Sequence, residues 1–146
     1  MSQQDKGFNQ PEDKKDFFLL LEGGMLAIKQ QDEERAKALF DACESLHAEH
    51  HLVDIGRGYL HFQMLEVNQA ITCFEKALEK EPNDPIANVL IGMASAFTKD
   101  NVEEGERRLR SALSNQEIPD DVQGLAHSSL DFINQFVKPS PGPAGQ

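Results

Sequence analysis

The chain predicts an all-α fold made of stacked helical hairpins, and three observations carry that expectation. Apolar residues recur at helical spacing from Asp16 to Val137. No stretch shows the strict alternation and tight turn chemistry of β-hairpins. Laid against itself at a shift of 34 residues, the chain brings Gly24, Gly58 and Gly92 into coincidence, Ala36 onto Ala70, and Phe40 onto Phe74. A period of that length marks a helix–turn–helix unit. One such unit cannot bury its own apolar face, so units stack.

The elements follow in order. Residues 1–14 are polar and interrupted by Gly7 and Pro11, which predicts an unstructured tail. A first helix is expected over "DFFLLLEGGMLAIKQ" from Asp16, and a second over "DEERAKALFDACESLHAE", with Asp32 as N-cap. "HLVDIGRGYLHFQML" and "VNQAITCFEKALEKE" form the next pair. In the turn Pro82-Asn83-Asp84-Pro85, Asp84 can cap and Pro85 can open a fifth helix, "PIANVLIGMASAFTK". "NVEEGERRLRSALSN" is the sixth, its early acids favoured by the helix dipole. A last helix runs from Asp120 to Val137 after Pro119, with Val122, Leu125, Leu130, Ile133 and Phe136 as its apolar positions. The end from Lys138 is rich in Pro and Gly and predicts a second unstructured tail over 138–146. The expected domain therefore spans 15–137.

With Gly58, Ala70, Phe74, Ala77 and Pro82 in place, the middle unit resembles the tetratricopeptide repeat family. The first unit matches at Gly24, Ala36 and Phe40, but has Cys43 and Ala48 where the last Ala and the Pro would stand. The third matches at Gly92 and, after one inserted residue, places Gly105, Leu109 and Ala112 in the Ala, Phe and Ala positions. The aromatic signature of the first helix is absent, since there is no Trp and His61 replaces the usual Tyr. The resemblance implies three tetratricopeptide-like hairpins in a short right-handed solenoid, closed by a C-terminal capping helix. It specifies a fold rather than an activity.

Composition narrows the function. A length of 146 residues suits one compact domain. The net charge of −11 opposes any contact dominated by nucleic-acid phosphate or anionic lipid. No run approaches the length of a membrane span, and "MSQQDKGFNQPEDKK" has no signal-peptide core. Cys43 and Cys73 form no CxxC unit and fall at helical apolar positions, so a reducing, cytoplasmic setting is expected. No nucleophile elbow, phosphate loop or triad signature is present, and neither an enzyme nor a cofactor is expected. The cluster "HAEHH" sets His47 and His51 four apart, where a continuous helix could turn both toward one metal ion. It lacks the third ligand of a zinc motif and falls between repeats, so a solvated turn is the preferred reading.

The first helix of each hairpin is apolar over most of its circumference, as expected of a helix covered on two sides. In the third helix only Asp54, Arg57 and His61 form a polar strip. Two readings stay open: both apolar stripes are core, or one lines a concave partner-binding groove. The groove would consist of Phe18, Leu21, Met25, Ile28, Leu52, Ile55, Tyr59, Phe62, Ile86, Val89, Met93 and Phe97. Its methionines suit an adaptable surface. The Lys and Asn arrangement by which co-chaperone tetratricopeptide domains clamp a carboxylate is missing.

Size, repeat number and groove character resemble the bacterial type III secretion chaperones, most of all those of the needle subunit; the chaperones of translocator proteins share the plan. The resemblance implies a partner with an amphipathic helix, held in the groove, and a second small helical co-chaperone. The alternative is a scaffold joining folded partners, its apolar stripes wholly internal. A metal protein or enzyme around His47, His50 and His51 is the least favoured.

Overall fold

The computed structural model describes residues 7–115 and 117–138. Among them the fold is helical without strands: α1 (Pro11–Lys29), α2 (Glu33–Leu46), α3 (His51–Gln63), α4 (Val67–Lys80), α5 (Pro85–Ser95), α6 (Val102–Leu113) and α7 (Asp120–Phe132). A π-helical turn, Ile133–Val137, extends α7. Contacts divide the chain into two compact units, Met1–Asn83 and Asp84–Gln146, where the sequence suggested one domain.

Local chemistry sets the helix ends. The Asp32 carboxylate accepts the Arg35 N–H at 3.1 Å, and that of Asp84 accepts the Ile86 N–H at 3.0 Å with Pro85 following. One boundary differs from expectation. Pro11, read as a breaker, opens α1, because a first-turn proline gives up no helical hydrogen bond. Glu12 and Asp13 then lie in the first turn, and the Gln10 N–H donates to the Asp13 carboxylate at 3.3 Å. The described part of the expected N-terminal tail is thus ordered from Gly7, with Phe8 against the core; residues 1–6 and 139–146 of the expected tails lie outside the described residues.

In the first unit α1 packs on α2, α3 packs on α4, and α3 also touches both α1 and α2. The close approach within each hairpin rests on a ring and a missing Cβ. A Cβ on Gly24 would collide with the Phe40 ring, and one on Gly58 with the Phe74 ring. Phe40 is clasped twice, since a Cβ on Gly56 of α3 would meet the same ring. Both rings are fully buried, beside Ala36 and Cys43 or Ala70 and Ala77. The hairpin turns also repeat. Gln31 (φ 60°) and Leu65 (φ 64°), 34 residues apart, both enter the left-handed region. Each is followed by an N–H bonded back across the helix end at 2.9 Å, Asp32 to Ala27 O and Glu66 to His61 O.

The second unit is built by the same contact in altered form. A Cβ on Gly92 of α5 would meet the Leu109 side chain of α6, and one on Gly105 would lie 2.8 Å from the Gly92 carbonyl oxygen. Two glycines here bring two backbones together, and Leu109 takes the place of the phenylalanine. Helix α7 covers both α5 and α6, burying Val122, Ala126, Leu130 and Ile133 with Val89 and Leu109. α5 ends earlier than expected, because successive i→i−3 bonds from Ala96, Phe97 and Thr98 tighten its last turn.

These contacts set the cost of two substitutions. Phe74→Ala should cost about 3–5 kcal/mol in denaturant melts, and Gly58→Ala about 1–3 kcal/mol by overpacking. In the Phe74→Ala background the space is open, so Gly58→Ala should become neutral or gain up to about 1 kcal/mol from helix propensity. Additive losses would mean that the ring and the glycine do not share one space. Separately, Leu65 is 84% exposed and strained in the left-handed region, so Leu65→Gly should raise stability by about 0.5–1 kcal/mol.

Candidate functional site

The structure sorts the groove positions by depth. Ile28, Ile55 and Val89 are buried in the free chain and belong to the packing beneath any surface, a correction to their assignment as partner-binding. The helical stripe is wide enough that its inner margin serves the core, which periodicity alone cannot separate from the outer margin. Phe18, Leu21, Met25, Leu52, Tyr59, Phe62, Ile86 and Met93 are half-buried, and Phe97 is exposed.

In the first unit, Phe18, Leu21, Met25 and Tyr59 are brought together as the rim of one core, whose buried members include Phe17, Ile28, Phe40 and Leu60. Phe18 stands edge-on to the buried Phe17 ring at 5.2 Å. Tyr59 stands edge-on to Phe74 at 6.2 Å, so it shares in closing its own hairpin. Leu52 and Phe62 lie on α3 with them, also half-buried. In the second unit Ile86 packs on the core, and Phe97 stacks on Phe132, which tilts against the exposed Phe136. Leu19 and Leu26, 56% and 53% exposed and two turns apart on α1, were missed in the sequence. Their spacing of seven was visible there, but inside "FFLLL" nothing marks which leucine faces outward.

The polar strip of α3 ties helices together. Lys80 of α4 meets the buried Asp54 carboxylate at 2.8 Å. Arg57 reaches back to α2, bonding Asp41 at 2.8 Å and also Glu44. Those contacts hold the Arg57 guanidinium above its ordinary pKa despite partial burial. Near the end of α3, His61 Nδ1 lies 3.7 Å from a Glu66 oxygen.

The histidines do not share a helix as a metal pair would require. His47 ends α2 with extended backbone, and α3 begins only at His51. Nor is the turn solvated throughout, because His50 is buried: its Nδ1 accepts the Leu52 N–H at 3.2 Å and caps α3. Among the described residues no three His, Cys, Asp or Glu side chains are grouped to hold a metal ion. Cys43 is buried with its Sγ 3.6 Å from Phe17 O, and burial raises its thiol to about 11, far from a reactive thiolate. Cys73, half-buried, is raised for the same reason.

No protein-family model matches the chain, and no curated protein matches its sequence. No helix among the described residues is long and apolar enough to cross a membrane.

The Asp54–Lys80 tie predicts an asymmetric response. Lys80→Met should destabilise by about 1–3 kcal/mol, since it leaves a charge buried while the lysine itself keeps some contact with water. Adding Asp54→Leu should recover most of that loss in a thermal melt. An unchanged melt in Lys80→Met would show the pair to be energetically idle.

Proposed function

We propose that the chain is a tetratricopeptide-like binding protein that shields an amphipathic helix of a partner, in the manner of a type III secretion needle-subunit chaperone. One observation carries this reading: Phe18, Leu21, Met25 and Tyr59 rim a single core yet remain partly open. A core margin made of a flexible methionine, a leucine and two rings suits an apolar helix face of loosely specified shape. The polar side chains of α3 are meanwhile drawn toward neighbouring helices and leave little to recognise a charged ligand. Three hairpins of tetratricopeptide-like pattern are the natural scaffold for such a surface, and the repeated ring-on-glycine contact supports that architecture.

The mechanism needs no nucleotide or metal. A subunit that polymerises through an amphipathic helix stays monomeric while that apolar face is covered, and is freed when the cell removes it. Leu19 and Leu26 on the outer side of α1 offer a place for the second small helical co-chaperone that the family resemblance implies.

The test is a pair of substitutions at the open margin, Phe18→Ser with Met25→Ser. Binding of a labelled amphipathic helix with apolar residues at i, i+3 and i+4 should weaken by at least about tenfold, roughly 1.4 kcal/mol. The melt should show a loss of only about 1–3 kcal/mol, because neither side chain is fully buried. Unchanged binding would remove this surface from consideration. A collapsed melt would make both residues core and favour the scaffold reading. Tyr59→Ser is the poorer probe, since the Phe74 contact makes it costly to the fold.

A further inference from the structure

We propose that Gly7 and Phe8 form an acid-released latch over the histidines joining α2 to α3, opened when His50 takes up a proton. The Phe8 ring lies 5.5 Å from Phe17, 4.7 Å from His47 and 6.1 Å from His50. Beneath it, His50 is only 5% exposed. Its ring sits 4.5 Å from Phe17 and stacks on His51 at 5.1 Å. Because Nδ1 accepts the Leu52 N–H, the neutral ring carries its proton on Nε2, which has no hydrogen-bond partner among the described residues.

A second proton is costly at Nδ1, which already accepts the Leu52 N–H. It would turn Nδ1 from acceptor to donor and abolish the cap on α3. Among the described residues, the titratable groups acting on the ring are His51 beside it, His47 at the end of α2 and Lys80 of α4. Among the described residues, Phe17 and Phe18 of α1 and Phe8 before it turn aromatic rings toward His50. The Asp54 carboxylate, four residues along α3, is engaged with Lys80 at 2.8 Å. Burial first, then repulsion from His51, His47 and Lys80, pushes His50 down to about 4 from 6.5. Since the closed state binds its proton more weakly than the open one, closure is fully favoured above 6.5 and weakens as pH falls toward 4.

The imidazolium needs water on both nitrogens, and one of its covers is weakly held. α1, α2 and α3 are helices fixed by the core, whereas no hydrogen bond among the described residues ties down Gly7 or Phe8. Gly7 is what lets the segment fold down there. Its φ is +97°, and a Cβ would collide with the His47 imidazole. His50 also meets the Phe18 ring at 5.8 Å, so release would loosen one end of the surface proposed above. That consequence rests on the binding reading; the latch itself does not.

The chain contains no tryptophan, so Phe8→Trp in the full chain gives a single emission reporter on the latch. The indole emission should be blue-shifted at about pH 8 and move to the red with a midpoint between 4 and 6.5, while helical circular dichroism holds steady. In a His50→Asn background, where Asn still caps but does not titrate, emission should stay blue-shifted throughout that range. His47→Gln should retain the acid response. With Gly7→Ala added to the reporter chain, emission should be red-shifted already at the alkaline end with helicity unchanged, a readout that survives if His50→Asn fails to fold. Alkaline emission that is red with Gly7 intact, that shifts only together with loss of helix, or that titrates unchanged in His50→Asn would each overturn the proposal. So would blue alkaline emission in Gly7→Ala.

Discussion

The fold depends on one repeated contact, a large apolar side chain seated where a facing helix has no Cβ. Phe40 is held against Gly24 and Gly56, Phe74 against Gly58, and Leu109 against Gly92. Glycine inside a helix costs roughly 1 kcal/mol relative to alanine. Here that cost is offset by burying a whole ring at close helix spacing, which core truncations put at about 3–5 kcal/mol. The contact also fixes register. In α3 a shift of one residue would set the Cβ of Arg57 or Tyr59 where Gly58 now meets the Phe74 ring.

The shape of the surface arises from that closure. With the glycines of α1 and α3 facing the rings of α2 and α4, the next side chains round α1 and α3 fall at the rim, where Phe18, Leu21, Met25 and Tyr59 are half-covered. Polar residues of α3 are directed laterally, Asp54 toward α4 and Arg57 toward α2. An apolar margin is what remains. The same crowding at the start of α3 buries His50, turning a turn residue into a buried cap sensitive to protonation.

Much of this was legible in the residues. The 34-residue recurrence of glycine, alanine and phenylalanine anticipates which ring meets which glycine, because side chains that pair across a hairpin must keep their spacing from unit to unit. Even the residue inserted before Gly105 is reflected, with Leu109 one position further from Gly92 than Phe74 is from Gly58. The caps at Asp32 and Asp84 were readable because capping is a contact between near neighbours in sequence. Pro11 was misread because a proline that breaks a chain and a proline that begins a helix differ only in the residues after them.

The sequence by itself thus determined the helices, their pairing into hairpins and the inward contacts, all of which depend on local periodicity and short separations. Tertiary structure alone decided depth. Ile28, Ile55 and Val89 share their stripes with half-open neighbours, and only packing by other helices buried them. His50 lies in a polar stretch and was drawn inside by Phe8 and Phe17, residues far from it along the chain. Burial is a property of several segments meeting at once, and no periodicity within one segment records it.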